Sequence, residues 1–175
     1  MPEIVDPEVF DFEISQFSVD ELDFITEEPC ESFKHVERCA EQTEVLKELK
    51  EIEEECSTEN WGGMNELPVT TETITQAREL LIRSANLPYL IQFPNLTPTS
   101  FGLLEMEWYK EKGQRLAIRI NEQGVFIFSG LFGQAIDAAG KMFEENIHGT
   151  SLLEGDQFPK VIKEQLARLY NIPPI

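Results

Sequence analysis

GLLEMEWYKEKGQRLAIRINEQGVFIFSG, residues 102–130, is the stretch whose reading decides the fold. Leu104, Met106 and Trp108 alternate with Glu105, Glu107 and Tyr109, and Leu116, Ile118 and Ile120 alternate with Arg115, Ala117 and Arg119. A period of two is that of a half-buried strand, because successive side chains point to opposite faces. Val125 to Ser129 supplies a third strand. Residues 110–114 and 121–124 are short, Gly-containing connections, which join neighbouring strands as hairpins. The polar face then sets Glu105 and Glu107 across from Arg115 and Arg119. Such cross-strand pairs contribute about 0.2–1 kcal/mol each, and this explains the two carboxylates better than catalysis does.

Downstream, Gly130-Leu131-Phe132-Gly133 reads as the end of the sheet. Residues 134–147 suit a helix on Ile136, Met142, Phe143 and Ile147, weakened at Gly140 by about 1 kcal/mol relative to alanine. Pro159 opens a final helix to Tyr170 that buries Val161, Ile162, Leu166 and Leu169, and Asn171 with Pro173-Pro174 stops it. Upstream, Thr70 is the N-cap of a helix whose stripe is Ile74, Ala77, Leu80, Leu81 and Ala85. A proline-spaced loop with Pro94 and Pro98 links it to the first strand. Trp61-Gly62-Gly63 implies a tight turn with an apolar anchor. The expected fold class is α+β: a three-stranded antiparallel meander packed with three to four helices, plus an acidic N-terminal extension.

Charge divides the chain. Its 175 residues hold 33 acids and 14 bases, a net charge of −19 with pI near 4.4, and a hydrophobic fraction of 41% with 12 Phe is enough for one core. Residues 1–60 carry a net −16 and residues 61–175 only −3. We therefore expect residues 1–59 to be an acidic interaction segment with one amphipathic helix, and residues 60–175 to be the α+β body. That helix spans 32–55, with Phe33, Val36, Ala40, Thr43, Leu46 and Leu49 inward and Glu37, Glu41, Glu44, Glu48 and Glu51 outward. The run from Glu51 to Glu55 sits at the wrong end for the helix dipole and calls for a cation. Before it, residues 9–14 alternate like a strand and residues 19–25 suit a short helix capped by Ser18. Two readings of Phe10, Phe12 and Phe17 stand side by side: docking on the chain's own body, or an arm for a partner.

Catalytic signatures are absent from the sequence. Cys30, Cys39 and Cys56 are far from zinc-site spacing, and His35 and His148 have no ligand cluster nearby. No phosphate-binding, dinucleotide-binding or nucleophile-elbow motif occurs. Neither a cofactor nor a metal is expected. Lys and Arg are too few and scattered for direct binding to nucleic acid. The absence of a long apolar run and of a basic, apolar leader makes no membrane association and a cytoplasmic location the expectation.

The order Asn60-Trp61-Gly62-Gly63, Pro68, a capped helix, Leu104-Glu105-Met106-Glu107-Trp108, Leu116 to Ile120, and Phe128-Ser129-Gly130-Leu131-Phe132-Gly133 carries a resemblance. Over residues 59–170 it resembles a set of small uncharacterised bacterial proteins with a Trp-Asp-Gly-like opening and a Leu-Glu-Trp strand. Such proteins often lie near toxin–antitoxin or mobile-element genes. The resemblance implies an antitoxin-like or defence-associated accessory. The chain departs from that pattern at Gly62, where Asp is usual, and at Thr97 to Gly102, where Asp-Gly-Gly is usual.

These readings lead to a non-enzymatic, strongly acidic interaction protein. It binds and masks a basic partner such as a toxin, a nuclease or another nucleic-acid-binding protein, in the manner of an antitoxin, an inhibitor or a nucleic-acid mimic. Phe10, Phe12, Phe17, Leu22 and Phe24 are the expected apolar anchors, and Glu48, Glu51, Glu54 and Glu55 the expected charged contacts. The alternative is a small-molecule sensor or enzyme with a pocket between meander and helices, near Trp61, Trp108 and Tyr109.

Overall fold

The computed structural model describes residues 31–136 and 142–174. Three helices, α1 (Glu31–Glu55), α2 (Thr71–Ser84) and α3 (Lys160–Tyr170), pack on strands β1 (Asn95–Pro98), β2 (Leu104–Glu111), β3 (Gln114–Ile120), β4 (Val125–Ile136) and β5 (Met142–Leu152). The strands lie in sequential order and every pairing is antiparallel. The α+β character agrees with expectation, but the three-stranded meander does not: the sheet has five strands.

Both additional strands come from segments whose local pattern is weak. Residues 134–136 end β4 and residues 142–147 begin β5, where a helix over 134–147 is expected from spacing alone. Across from Phe128 stands Gly149, where a Cβ would come within 2.4 Å of the Phe128 ring. That close approach explains a glycine in the middle of a strand. The bulge between Leu131 and Gln134 contains Gly133 at φ +85°, whose N–H donates to Gly113 O at 3.0 Å. At the other edge, Asn95–Pro98 pairs with β2 and is too short to show alternation. Pro98 ends that edge strand, where a missing N–H is tolerated.

The central strands follow their sequence pattern. Leu104, Met106, Trp108, Leu116, Ile118, Ile120 and Phe126 are buried on one face, under the helices. Arg119 meets Glu105 at 2.5 Å and Arg115 meets Glu107 at 3.2 Å on the other face. The β3–β4 connection is closed by Asn121 Oδ1, which accepts from Gln123 and Val125 N–H at 3.0 and 2.9 Å. Thr70 Oγ1 accepts from Thr73 N–H at 3.2 Å and caps α2, whose Ile74, Ala77, Leu80 and Leu81 are buried. Asn171, at φ 56°, ends α3 in a left-handed conformation.

The buried face of α1 differs from expectation. Arg38, Val45, Leu49, Ile52 and Cys56 turn inward, while Val36 is 67% exposed. Val45, Leu49, Ile52 and Cys56 recur every three or four positions, with Arg38 seven before Val45, and Leu49 is shared with the expected stripe. The apolar residues from Val45 onward belong to the same core as α2 and the sheet. Arg78 of α2 reaches Glu53 at 3.3 Å, placing a cation near the acidic end of α1.

Candidate functional site

The outward side of α1 faces the segment Gln92–Pro94 across an open groove of about 600 Å³. Glu41, Glu44, Glu48 and Glu51 line the helical wall, with Lys47 as the cation among the lining residues. Val45, Phe93 and Pro94 supply apolar surface. Residues at i, i+3 and i+4 share a helix face, which is why four acids within eleven positions converge on one groove. Lys47 lies 3.9 Å from Glu51, and both side chains are largely exposed.

Burial raises the pKa of Glu48; Glu51 raises it further, and the Leu96 backbone N–H opposes both. A raised value means that the folded protein disfavours this negative charge at its place. A cation seated in the groove would relieve that cost.

The wall opposite α1 is fixed by a buried arginine. Arg38 is 6% exposed and donates through Nη1 to Ile91 O and through Nη2 to Ser84 O at 2.8 Å. Ser84 is the last residue of α2, so the guanidinium complements the negative end of that helix. The Arg38 guanidinium also stacks 4.4 Å from the centre of the Phe93 ring. Desolvation is the main cause of its lowered pKa, opposed by Glu41, Tyr170 and Tyr89. Tyr89 Oη donates to Glu37 at 2.6 Å, and Trp108 Nε1 donates to Gln92 O at 3.0 Å. The groove therefore has one helical wall and one wall pinned from beneath.

Of the expected contacts, Glu48 and Glu51 come together in this groove. Glu54 pairs with Lys50 at 3.4 Å, and neither Glu54 nor Glu55 lines the groove. Phe10, Phe12, Phe17, Leu22 and Phe24 lie outside the described residues, as do the expected strand over 9–14 and helix over 19–25. The contribution of Phe93 and of Arg38 beneath it was missed. The available signal was Arg38 itself, seven positions before Val45 and on the same helical stripe.

The aromatic trio of the alternative reading does not converge. Trp108 is 1% exposed within the core, Tyr109 is 51% exposed on the opposite face of the sheet, and Trp61 Nε1 donates to Leu67 O at 3.1 Å. His148 stands in β5 opposite Ser129. Cys39 is exposed and Cys56 buried, with burial the leading cause of a raised thiol pKa at Cys56. Among the described residues no group of three or more His, Cys, Asp or Glu could hold a metal ion, and no helix is long and apolar enough to cross a membrane.

A second acid is used quite differently. Glu66 is buried and accepts from the backbone N–H of Met64 at 2.9 Å and of Gly62 at 3.3 Å. These backbone donors, Met64 first, lower its pKa. A Cβ at position 62 would lie 2.7 Å from Glu66 Oε1, so glycine lets the carboxylate approach. Asn60 and Asn65 complete the turn at φ 62° and 63°, and Asn65 N–H donates to Asn60 Oδ1 at 2.9 Å. The Trp-Gly-Gly stretch is thus a loop built around its own acid.

Comparison of the chain with protein-family models, curated proteins and solved structures finds no match in any of the three.

Proposed function

We propose that this chain is a non-enzymatic interaction protein whose groove along α1 docks and masks a basic partner. The observation that carries this reading is the row Glu41, Glu44, Glu48 and Glu51 beside the apolar surface of Val45, Phe93 and Pro94. Carboxylates supply long-range attraction and register, while an apolar floor gives an incoming side chain somewhere to be desolvated. Its best-fitting partner presents Lys or Arg around an apolar residue, the composition of many nucleic-acid-binding surfaces. Covering such a surface is what an antitoxin or an inhibitor does. The net charge of −16 in residues 1–60 extends the attraction beyond the groove.

A synthetic basic amphipathic helix carrying one leucine among lysines tests the reading by calorimetry against the full chain. Binding should weaken by about tenfold or more between 50 and 300 mM salt, since exposed charges are screened over a Debye length of roughly 10 Å at 0.1 M. The pair Glu44→Gln and Glu48→Gln should weaken it by a similar factor at low salt. Equal affinity in the variant and the parent would refute the groove as the docking site.

A further inference from the structure

The helices cover one face of the sheet. Among the described residues its other face stays open, yet that face is not polar throughout. Val125, Ile127 and Leu131 of β4 belong to it, with Leu152 of β5 opposite Val125 and Ala117 of β3 opposite Ser129. Ile127 is 53% exposed and Leu152 49%. The solvated face of an antiparallel sheet is ordinarily polar, its apolar residues being turned inward. An apolar stripe along an inner strand marks a surface that another element covers.

Cations border that stripe. Arg119 stands opposite Ile127 and Arg115 opposite Leu131. Each pairs with a glutamate of β2, yet each side chain stays more than half exposed. Residues 109–119 hold four bases and one acid, in a chain whose net charge is −19. An apolar row and an arginine row thus lie side by side, one strand apart.

Residues 1–30, outside the described residues, have the complementary composition: ten acids, no Lys or Arg, and Phe10, Phe12, Phe17, Leu22 and Phe24. Their point of attachment also fits. α1 begins at Glu31, about two turns before Arg38. Arg38 stacks on Phe93, and the neighbouring Gln92 O accepts from Trp108 Nε1. Tyr109 follows Trp108 and turns to the open face. Arg38 and Tyr109 are therefore at the same end of the sheet. Thirty residues extend to at most about 100 Å, against about 23 Å for a seven-residue strand such as β3.

We propose that residues 9–25 lie across the open face of the chain's own sheet, their aromatic side chains on the β4 stripe and their acids toward Arg115 and Arg119. Other arrangements fit less well. A second copy brings a further −19, whereas a tethered segment meets the face at an effective concentration of order millimolar. The α1 groove, lined by four glutamates and one lysine, repels an arm that carries only acids. The docked arm leaves that groove open to a partner, since none of the groove's lining residues belongs to the open face.

A nitroxide on the full chain tests this, attached at Ser15→Cys with Cys30→Ser and Cys39→Ser, so that the label meets one exposed thiol. The amide signals of Ala117, Ile127, Ser129 and Thr150 should broaden in the labelled chain. They should stay sharp in isotope-enriched, unlabelled chain mixed with the labelled one; broadening there would make a second copy the occupant and overturn the proposal. Ile127→Glu should weaken docking by about tenfold, as losing the burial of one aliphatic side chain implies. Phe10→Ser with Phe12→Ser should weaken it by at least as much. This second variant alters no residue of the sheet, so its loss of broadening cannot come from a misfolded sheet. Broadening confined to α1, none on the open face, or broadening unchanged in either variant would equally overturn it.

Discussion

Glu66 and Glu48 lie eighteen positions apart and sit in opposite environments. The loop from Asn60 to Leu67 folds around the Glu66 carboxylate, and backbone N–H groups lower its pKa. On α1 the chain turns its acids outward, and burial beside Glu51 raises the pKa of Glu48. The first acid is held by backbone donors within its own loop; the second faces a groove shared with Glu41, Glu44 and Glu51. Charge density alone does not separate a site from a scaffold. What separates them is whether the surrounding donors have already been supplied by the protein.

The largest effect should come from the apolar seam that holds the groove in place. Leu49 is fully buried, so Leu49→Ala should cost about 2–5 kcal/mol, the range for large-to-small changes in a core. Urea denaturation measures this. A loss below about 1 kcal/mol would mean that α1 is not seated on the core through this face.

Next in size is the other side of the comparison. Gly62→Ala puts a Cβ 2.7 Å from Glu66 Oε1, the end of a flexible side chain that swings aside, and should lower the melting temperature by less than Leu49→Ala does. It also forces the carboxylate away from its donors, and this has a sign in pH. Because the folded-state pKa of Glu66 is lowered, its contribution is present above the ordinary carboxylate value and disappears as pH falls through the lowered one. Melting temperature measured from pH 6 down to pH 2.5 should therefore fall less steeply in Gly62→Ala than in the parent. Parallel curves would show that Glu66 does not depend on that approach.

The smallest effect belongs to Glu48 and runs the other way. A raised folded-state pKa means that stability is favoured below the unfolded value and is lost as pH rises through the folded one. Glu48→Gln should thus stabilise the protein at pH 7 by a few tenths of a kcal/mol, as expected for relief of like-charge crowding on an exposed helix. The same substitution should be neutral near pH 3, where the carboxylate is protonated in both states. Thermal melts at the two pH values decide it. Destabilisation at pH 7 would place Glu48 with Glu66 among the structural acids.

Legibility in the sequence followed the strength of local periodicity. β2, β3 and α2 carry alternation or a capped stripe over seven or more residues, and both hairpins carry their turn glycines. Residues 142–152 do not: Ile147 and Thr150 suit a strand, but the placing of Ile136, Met142, Phe143 and Ile147 also suits a helix. Pairing with β4, with Phe128 over Gly149, settles the choice. β1 has four residues, ends in proline and needs β2 as its template. Half the candidate site was legible in the same sense. The acid row on α1 is visible as spacing, whereas Phe93 and Arg38 come from places with no pattern connecting them to it.

The sequence by itself determined the uneven charge, the central meander, the capped α2 and the αL stop of α3, because each depends on residues within a turn or a strand of one another. Tertiary structure decided which stripe of α1 is buried, that the sheet gains a strand at each edge, and which acids face a groove. Those outcomes depend on contacts such as Arg38 with Ile91 and Phe128 with Gly149, between residues far apart in the chain. Local propensity is nearly balanced at such places, so the free energy of long-range packing makes the choice.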